Sequence, residues 1–153
     1  QLDFNNPERF DLACTNEKGE KERIVMIHAA IMGSIERFLS VLLDHLQGAF
    51  PTWLAPVQTR VISVSEKHAA YADEVVAALK TAGIRAEVDN SNESLGKKIR
   101  EAKSQKIPYL LVVGDQEVEA KTVSVDSRDN GKLNAMSVAD FIARAYEEIR
   151  ARK

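Results

Sequence analysis

Cysteine is almost absent from this chain: one residue, Cys14, in 153. A single thiol rules out an internal disulfide and fits a reducing, cytoplasmic setting. The three histidines (His28, His45, His68) and Cys14 form no CxxC, HxH or HExxH pattern. They do not make a zinc site by spacing, since such a site takes three or four ligands. No apolar run approaches the roughly 20 residues that span a bilayer, so no membrane partner is expected. The opening QLDFNNPERFDL lacks the basic and apolar regions of a secretory leader. Neither GxxxxGK[ST] nor GxSxG occurs, which removes the phosphate loop and the nucleophile elbow. Aromatic residues are 6% of the chain, and only Tyr109 stands near the basic region, so recognition of bases by stacking is a minor expectation. The net charge of -2 makes no whole-protein case for nucleic acid.

What is present is ordinary globular material, 44% hydrophobic and 29% charged. Charge is uneven: residues 1–54 carry eight acids against five bases, whereas residues 93–106 carry five bases against two acids. Two parts are expected. In the first, FDLACTNEKGEKERIVMIHAA reads as two strands about a turn at 16–21, with Gly19 supplying the permissive backbone. A helix follows over 34–47, because Ile35, Phe38, Leu39, Leu42, Leu43 and Leu46 share one face and Gly48 stops it. Residues 51–56, with Pro51 and Pro56, form a stiff linker.

The second part, 57–153, alternates strand and helix. Strands are expected at 57–64, 84–89, 108–114 and 121–128, and helices at 68–83, 92–106 and from Ser137 to about Arg150. Asn130–Gly131 marks a turn. This order implies an α/β fold: a mixed β-sheet flanked by helices, preceded by a hairpin and helix. A flavodoxin-like cofactor domain would need a phosphate loop after its first strand, where VISVSEKH has no glycine.

Two features carry candidate chemistry. In VMIHAAIMGSIERF, a strand end, the small turn Gly33–Ser34 and a helix start place Arg37 beside free backbone N–H groups, a combination suited to phosphate. Glu36 and Arg37 would look the same as solvated helix residues, and His28 as a buried, hydrogen-bonded histidine. The second feature is the stripe Lys97, Arg100, Lys103, opposite the apolar Leu95, Ile99 and Ala102. Such a stripe serves either as a solvated face or as a contact to a nucleic-acid backbone. Asn92, Glu93, Glu117, Ser127 and Arg128 lie at element ends where base edges are within reach.

Over nearly its whole length the chain resembles the C-terminal end of bacterial-type threonyl-tRNA synthetases, a class II aminoacyl-tRNA synthetase family. The strings LDFNNPERFDL, VMIHAAIMGSIERF, GAFPTWLAPVQ, NESLGKKIREA, QKIPYLLVVGDQEVE and MSVADFI carry the resemblance. It implies that residues 1–50 end a class II antiparallel catalytic domain, with MGSIERF as its third signature motif. By that match Arg37 contacts ATP phosphate, Ser34 lies in the adenylate vicinity, and His28 is one zinc ligand whose partners are absent from this chain. Residues 57–153 would be the class IIa anticodon-binding domain, reading tRNA(Thr) with Asn92, Lys98, Arg100, Lys106, Glu117 and Arg128. The intact parent would be a cytoplasmic, homodimeric threonine–tRNA ligase using ATP, Mg2+ and Zn2+, while the isolated fragment would bind none of them and make no adenylate. Two positions depart from the family pattern: Ala29 beside the zinc histidine, and Asp126, where VDSR replaces V-R-T-R. The alternative is a non-catalytic, paralogous anticodon-domain module acting as an RNA-binding accessory or regulator.

Overall fold

The structure is a computed structural model that describes residues 1–152. Its contacts divide the chain into two compact units, Gln1–Leu43 and the residues from Asp44 onward. The division falls inside a helix.

The first unit holds four short strands: β1 (Leu2–Asp3), β2 (Ala13–Thr15), β3 (Lys21–Arg23) and β4 (Met26–Ile27). It also holds α1 (Asn5–Arg9) and most of α2 (Ile35–Leu46). The expected hairpin is the β2–β3 pair, with Cys14 opposite Glu22. Its turn closes because the Asn16 side chain accepts from the N–H groups of Lys18 and Glu20, both at 3.0 Å, and Gly19 takes φ 77°. The second expected strand is broken after Arg23. Its continuation β4 leaves the hairpin and pairs antiparallel with β1 at the chain start. Nothing in the hydropathy of so short a piece as β1 announced that pairing. This unit hides little of its apolar surface. Phe4, Phe10, Ile27, Ile31, Ile35, Phe38, Leu39 and Val41 are all exposed, and no α2 residue is buried.

The second unit contains β5 (Thr59–Ser63), α3 (Ala69–Thr81), β6 (Ala86–Asp89), α4 (Leu95–Ser104), β7 (Tyr109–Val113) and α5 (Asp115–Ala120). It ends with β8 (Thr122–Ser127), β9 (Gly131–Lys132), β10 (Met136–Ser137) and α6 (Val138–Ala151). The sheet order is β10-β8-β7-β5-β6 with β9 beside β8. β5 runs parallel to β6 and β7, and β8 is antiparallel to β7, so the sheet is mixed as expected. Alternation sorts the strands into two faces. Val61, Tyr109, Leu111, Val113, Val123 and Val125 join Tyr71, Val75 and Leu79 of α3 and Phe141 and Ala145 of α6 in the main core. Tyr109 meets Phe141 edge-on, 5.3 Å between ring centres. On the other face Ile62, Leu110 and Ile107 pack against Leu95, Ile99 and Ala102 of α4.

Helix α4 starts three residues later than the spacing suggested. Ser94 is its N-cap, accepting the Lys97 N–H on its side chain, which leaves 92–94 as loop. Ser137 caps α6 as expected, accepting from Asp140 N–H at 3.1 Å. Helix α5 escaped the pattern because it is six residues long, too short to show a period. Residues 51–56 are tied down as well as stiff: Arg85 donates to the carbonyls of Trp53 and Ala55, and Gln58 donates to that of Thr52.

Candidate nucleic-acid interface

The face of the sheet that carries α4 is only partly covered. Beyond the helix, β7 and β8 turn Leu110, Val112, Ser124 and Asp126 toward this side, by register and alternation. Lys103 on α4 crosses to Asp126 on β8 at 2.8 Å. That contact fixes which side of α4 borders the open strands. Arg100, one turn earlier on the same side of the helix, is exposed. A cavity of about 230 Å3 lies here, lined by Lys103, Ile107, Leu110, Asp126, Ser127 and Arg128 among others.

The six residues expected to read RNA fall into three groups. Asn92 and Arg100 are exposed and make no side-chain hydrogen bond or ion pair with other described residues. Glu117 is half-buried and engaged: Oε2 accepts the Gly114 N–H at 2.9 Å and Oε1 accepts the Ser124 hydroxyl at 2.7 Å. Burial pushes its carboxyl up, but these bonds, its own backbone N–H and the field of His68 outweigh that and hold it below the usual glutamate range. Lys106 and Arg128 sit at the opposite end of the sheet from Asn92. Lys106 adopts φ 55° and its ammonium donates to the Gln47 carbonyl. The Arg128 guanidinium, 19% exposed, donates to the carbonyls of Phe50 (2.8 Å) and Lys106 (3.0 Å) and forks onto Asp129.

Lys98, expected from the resemblance among the anticodon-binding residues, lies inside the domain. It is 2% exposed, and its Nζ donates to the carbonyls of Ser63 (3.1 Å) and Asp89 (3.3 Å). Lysine is almost never buried unless its charge is partnered, and here two strand-terminal carbonyls partner it. The physical reason is helical phase. Position 98 lies three residues after Leu95 and four before Ala102, so it belongs to the buried stripe of α4. Two features went unremarked in the sequence. One is the Lys103–Asp126 pair. The other is the setting of His68, which is buried with Nδ1 3.1 Å from Ser65 Oγ and Nε2 3.2 Å from Asp115 Oδ1. Asp115 also pairs with Lys67 at 2.6 Å, and these two partners keep its carboxyl below the usual range.

In the first unit, His28 is exposed, not buried as a core histidine would be, and its Nε2 lies 2.8 Å from Asp3 Oδ2. Asp3 is held low by the Asn6 backbone N–H first and by His28 among lesser causes. One imidazole is short of the three or four ligands zinc needs. Among the described residues no three His, Cys, Asp or Glu side chains gather to hold a metal, so this chain's own residues do not fit that ion. Ser34 donates to Glu36 Oε2 at 2.8 Å in the first turn of α2. Arg37 is exposed beside them, with no ion pair to another described residue.

Residues 58–148 match the family described as "Anticodon binding domain". The chain belongs to the anticodon-binding domain family. The domain's sequence relatives include proteins named threonine–tRNA ligase. The one from Clostridium tetani is 51% identical over 97% of this chain and 23% of its own length. The one from Carboxydothermus hydrogenoformans is 50% identical over 100% of this chain and 24% of its own. The chain thus spans about a quarter of the length of the curated relatives it matches. In structure it is similar to the RNA-binding domain of threonyl-tRNA synthetase from Cryptosporidium parvum, with TM-score 0.76, 36% identity, and coverage of 97% of this chain and 38% of that one. A prolyl-tRNA synthetase of the same organism shares the fold at TM-score 0.65 and 21% identity, over 96% of this chain and 32% of its own. No helix among the described residues is long and apolar enough to cross a membrane.

Proposed function

We propose that this chain is the C-terminal part of a threonine–tRNA ligase and that residues 57–153 bind the anticodon stem-loop of tRNA(Thr). The observation that carries this is the pairing of family and surface. An anticodon-binding domain leaves one sheet face partly open, and along its edge stand the unengaged Asn92 and Arg100. Arg100 meets the phosphate backbone, and Asn92 presents a donor and an acceptor to a base edge. Glu117 keeps spare lone pairs on a carboxylate whose position is set by Gly114 and Ser124. Lys98, Lys106 and Arg128 support this surface by holding backbone.

Residues 1–50 are the end of the catalytic domain, joined by 51–56. The exposed apolar side chains of the first unit support this, because such a surface calls for cover and the relatives are about four times as long. In the intact cytoplasmic homodimer Arg37 would hold an ATP phosphate, with Ser34 and Glu36 setting the first turn of its helix. Mg2+ would accompany the nucleotide, and His28 would join zinc ligands supplied from elsewhere.

The test is fluorescence anisotropy with a labelled tRNA(Thr) anticodon stem-loop and an unrelated stem-loop, titrated at several salt concentrations. Binding of the cognate loop should weaken with salt, with a log–log slope near −0.7 for each phosphate contacted. Arg100→Glu should weaken it roughly tenfold and flatten the slope. Equal binding of the unrelated loop would overturn the reading.

A further inference from the structure

Of the three histidines only His68 is buried, at 3% exposure. A buried polar ring needs partners, and both of its nitrogens have one. Nδ1 lies 3.1 Å from Ser65 Oγ and Nε2 lies 3.2 Å from Asp115 Oδ1. An ionised carboxylate only accepts, so Nε2 carries a proton and donates it to Asp115. Ser65 belongs to the loop that leaves β5, whereas Asp115 opens α5 after β7. The ring therefore ties two connections that are 47 residues apart.

Helix α5 depends on ties of this kind. It has six residues, none of them buried, and it ends in Lys121 at φ 54°. A helix so short has little stability of its own. Val118, partly buried against the main core, is its apolar anchor. The second tie on Asp115, the Lys67 ammonium, joins two side chains that are 65% and 75% exposed, where an ion pair contributes little. Glu117 stands two residues beyond Asp115, in the same turn. Its carboxylate accepts from Gly114 N–H and Ser124 Oγ, so its direction follows the placing of that turn. Burial pushes the Glu117 carboxyl up, but Ser124, two backbone N–H groups and the field of His68 together hold it low. The imidazole is thus close enough for Glu117 to feel it.

We propose that His68 is a positioning residue for the RNA interface: its Nε2–H holds Asp115 and, through the first turn of α5, fixes the direction of the Glu117 carboxylate. The proposal rests on the RNA-binding reading above and adds to it a side chain that touches no RNA. Glutamine can offer an amide N–H in place of Nε2–H, whereas leucine fills the space and donates nothing.

The test is fluorescence anisotropy of the full 153-residue chain with the labelled tRNA(Thr) anticodon stem-loop. Glu117→Ala should weaken binding. His68→Leu and Asp115→Ala should each weaken it roughly fivefold, and His68→Gln should recover most of that loss. Asp115→Ala, a change at an exposed side chain, gives the answer where His68→Leu lowers the melt. Loss of a negative charge by itself favours RNA, so weaker binding by Asp115→Ala reports position rather than charge. In the Glu117→Ala background Asp115→Ala should cost nothing more, because groups acting in one network do not add. Losses that multiply, or an Asp115→Ala chain that binds as wild type while Glu117→Ala binds weakly, would overturn the positioning role and leave the RNA reading intact. If Glu117→Ala and Arg100→Glu both leave affinity unchanged, the RNA-binding reading fails and takes this role with it.

Discussion

Replacing Arg128 by alanine should unfold the anticodon domain more easily, and the structure allows the size of the effect to be worked out. The guanidinium ties three loops together through the carbonyls of Phe50 and Lys106 and the carboxylate of Asp129. A hydrogen bond from a charged donor contributes about 1.5–3 kcal/mol, and the side chain is only one-fifth exposed, so water replaces it poorly. Taking the lower figure for each carbonyl gives about 3 kcal/mol. The Asp129 pair is half open to solvent and adds at most about 1 kcal/mol. For a unit of this size about 3 kcal/mol corresponds to roughly 12 °C in Tm. Arg128→Lys keeps the charge but loses the fork, and should recover less than half. Circular dichroism melts of the full chain read both numbers. A pH series adds a signature. The Asp129 carboxyl is held low first by its Arg128 hydrogen bond, with burial opposing. A depressed carboxylate contributes stability above its unfolded pKa of about 3.9, and that contribution is lost as pH falls through the folded value. The gap between wild type and Arg128→Ala should therefore narrow below about pH 4. A melt shifted by less than about 3 °C would refute the clamp and return Arg128 to the list of free RNA contacts.

Two further outcomes are expected. Asp126→Arg frees Lys103 and adds a cation on the open face, so stem-loop affinity should rise several-fold with a steeper salt slope; an unchanged slope would show that this edge of α4 is away from the phosphates. Limited proteolysis should cut first within residues 1–43, where few side chains are buried, and a chain beginning at residue 44 should melt within about 3 °C of the full one; a lower melt would mean that the first unit supports the second.

The sheet and its helices were largely legible in the chain. Continuous apolar YLLVV is β7, buried between layers, and the alternation of TVSVDS set Val123 and Val125 on the core face. Pieces of two residues, such as β1 and β10, carry no period and were invisible. The site was less legible because side-chain commitments depend on neighbours far away in sequence. Arg128 looked like a free fork until Phe50, 78 residues earlier, was found beneath it. Lys98 is the instructive case. A count of bases says nothing of its burial, whereas the i, i+3, i+4, i+7 series Leu95, Lys98, Ile99, Ala102 marks it as inward. Its charge is met by two strand-terminal carbonyls, which charge counting alone does not reveal.

The two faces of the main sheet carry unequal burdens. Helices α3 and α6 and the large core lie on one side, while α4 alone covers part of the other. Folding free energy is therefore concentrated on one face, and the proposed recognition surface lies on its back. A side chain such as Asp126 can change its chemistry without opening a hole in the main core. Domains built this way can acquire a new RNA preference through single substitutions, with the scaffold's melting temperature as a nearly independent variable.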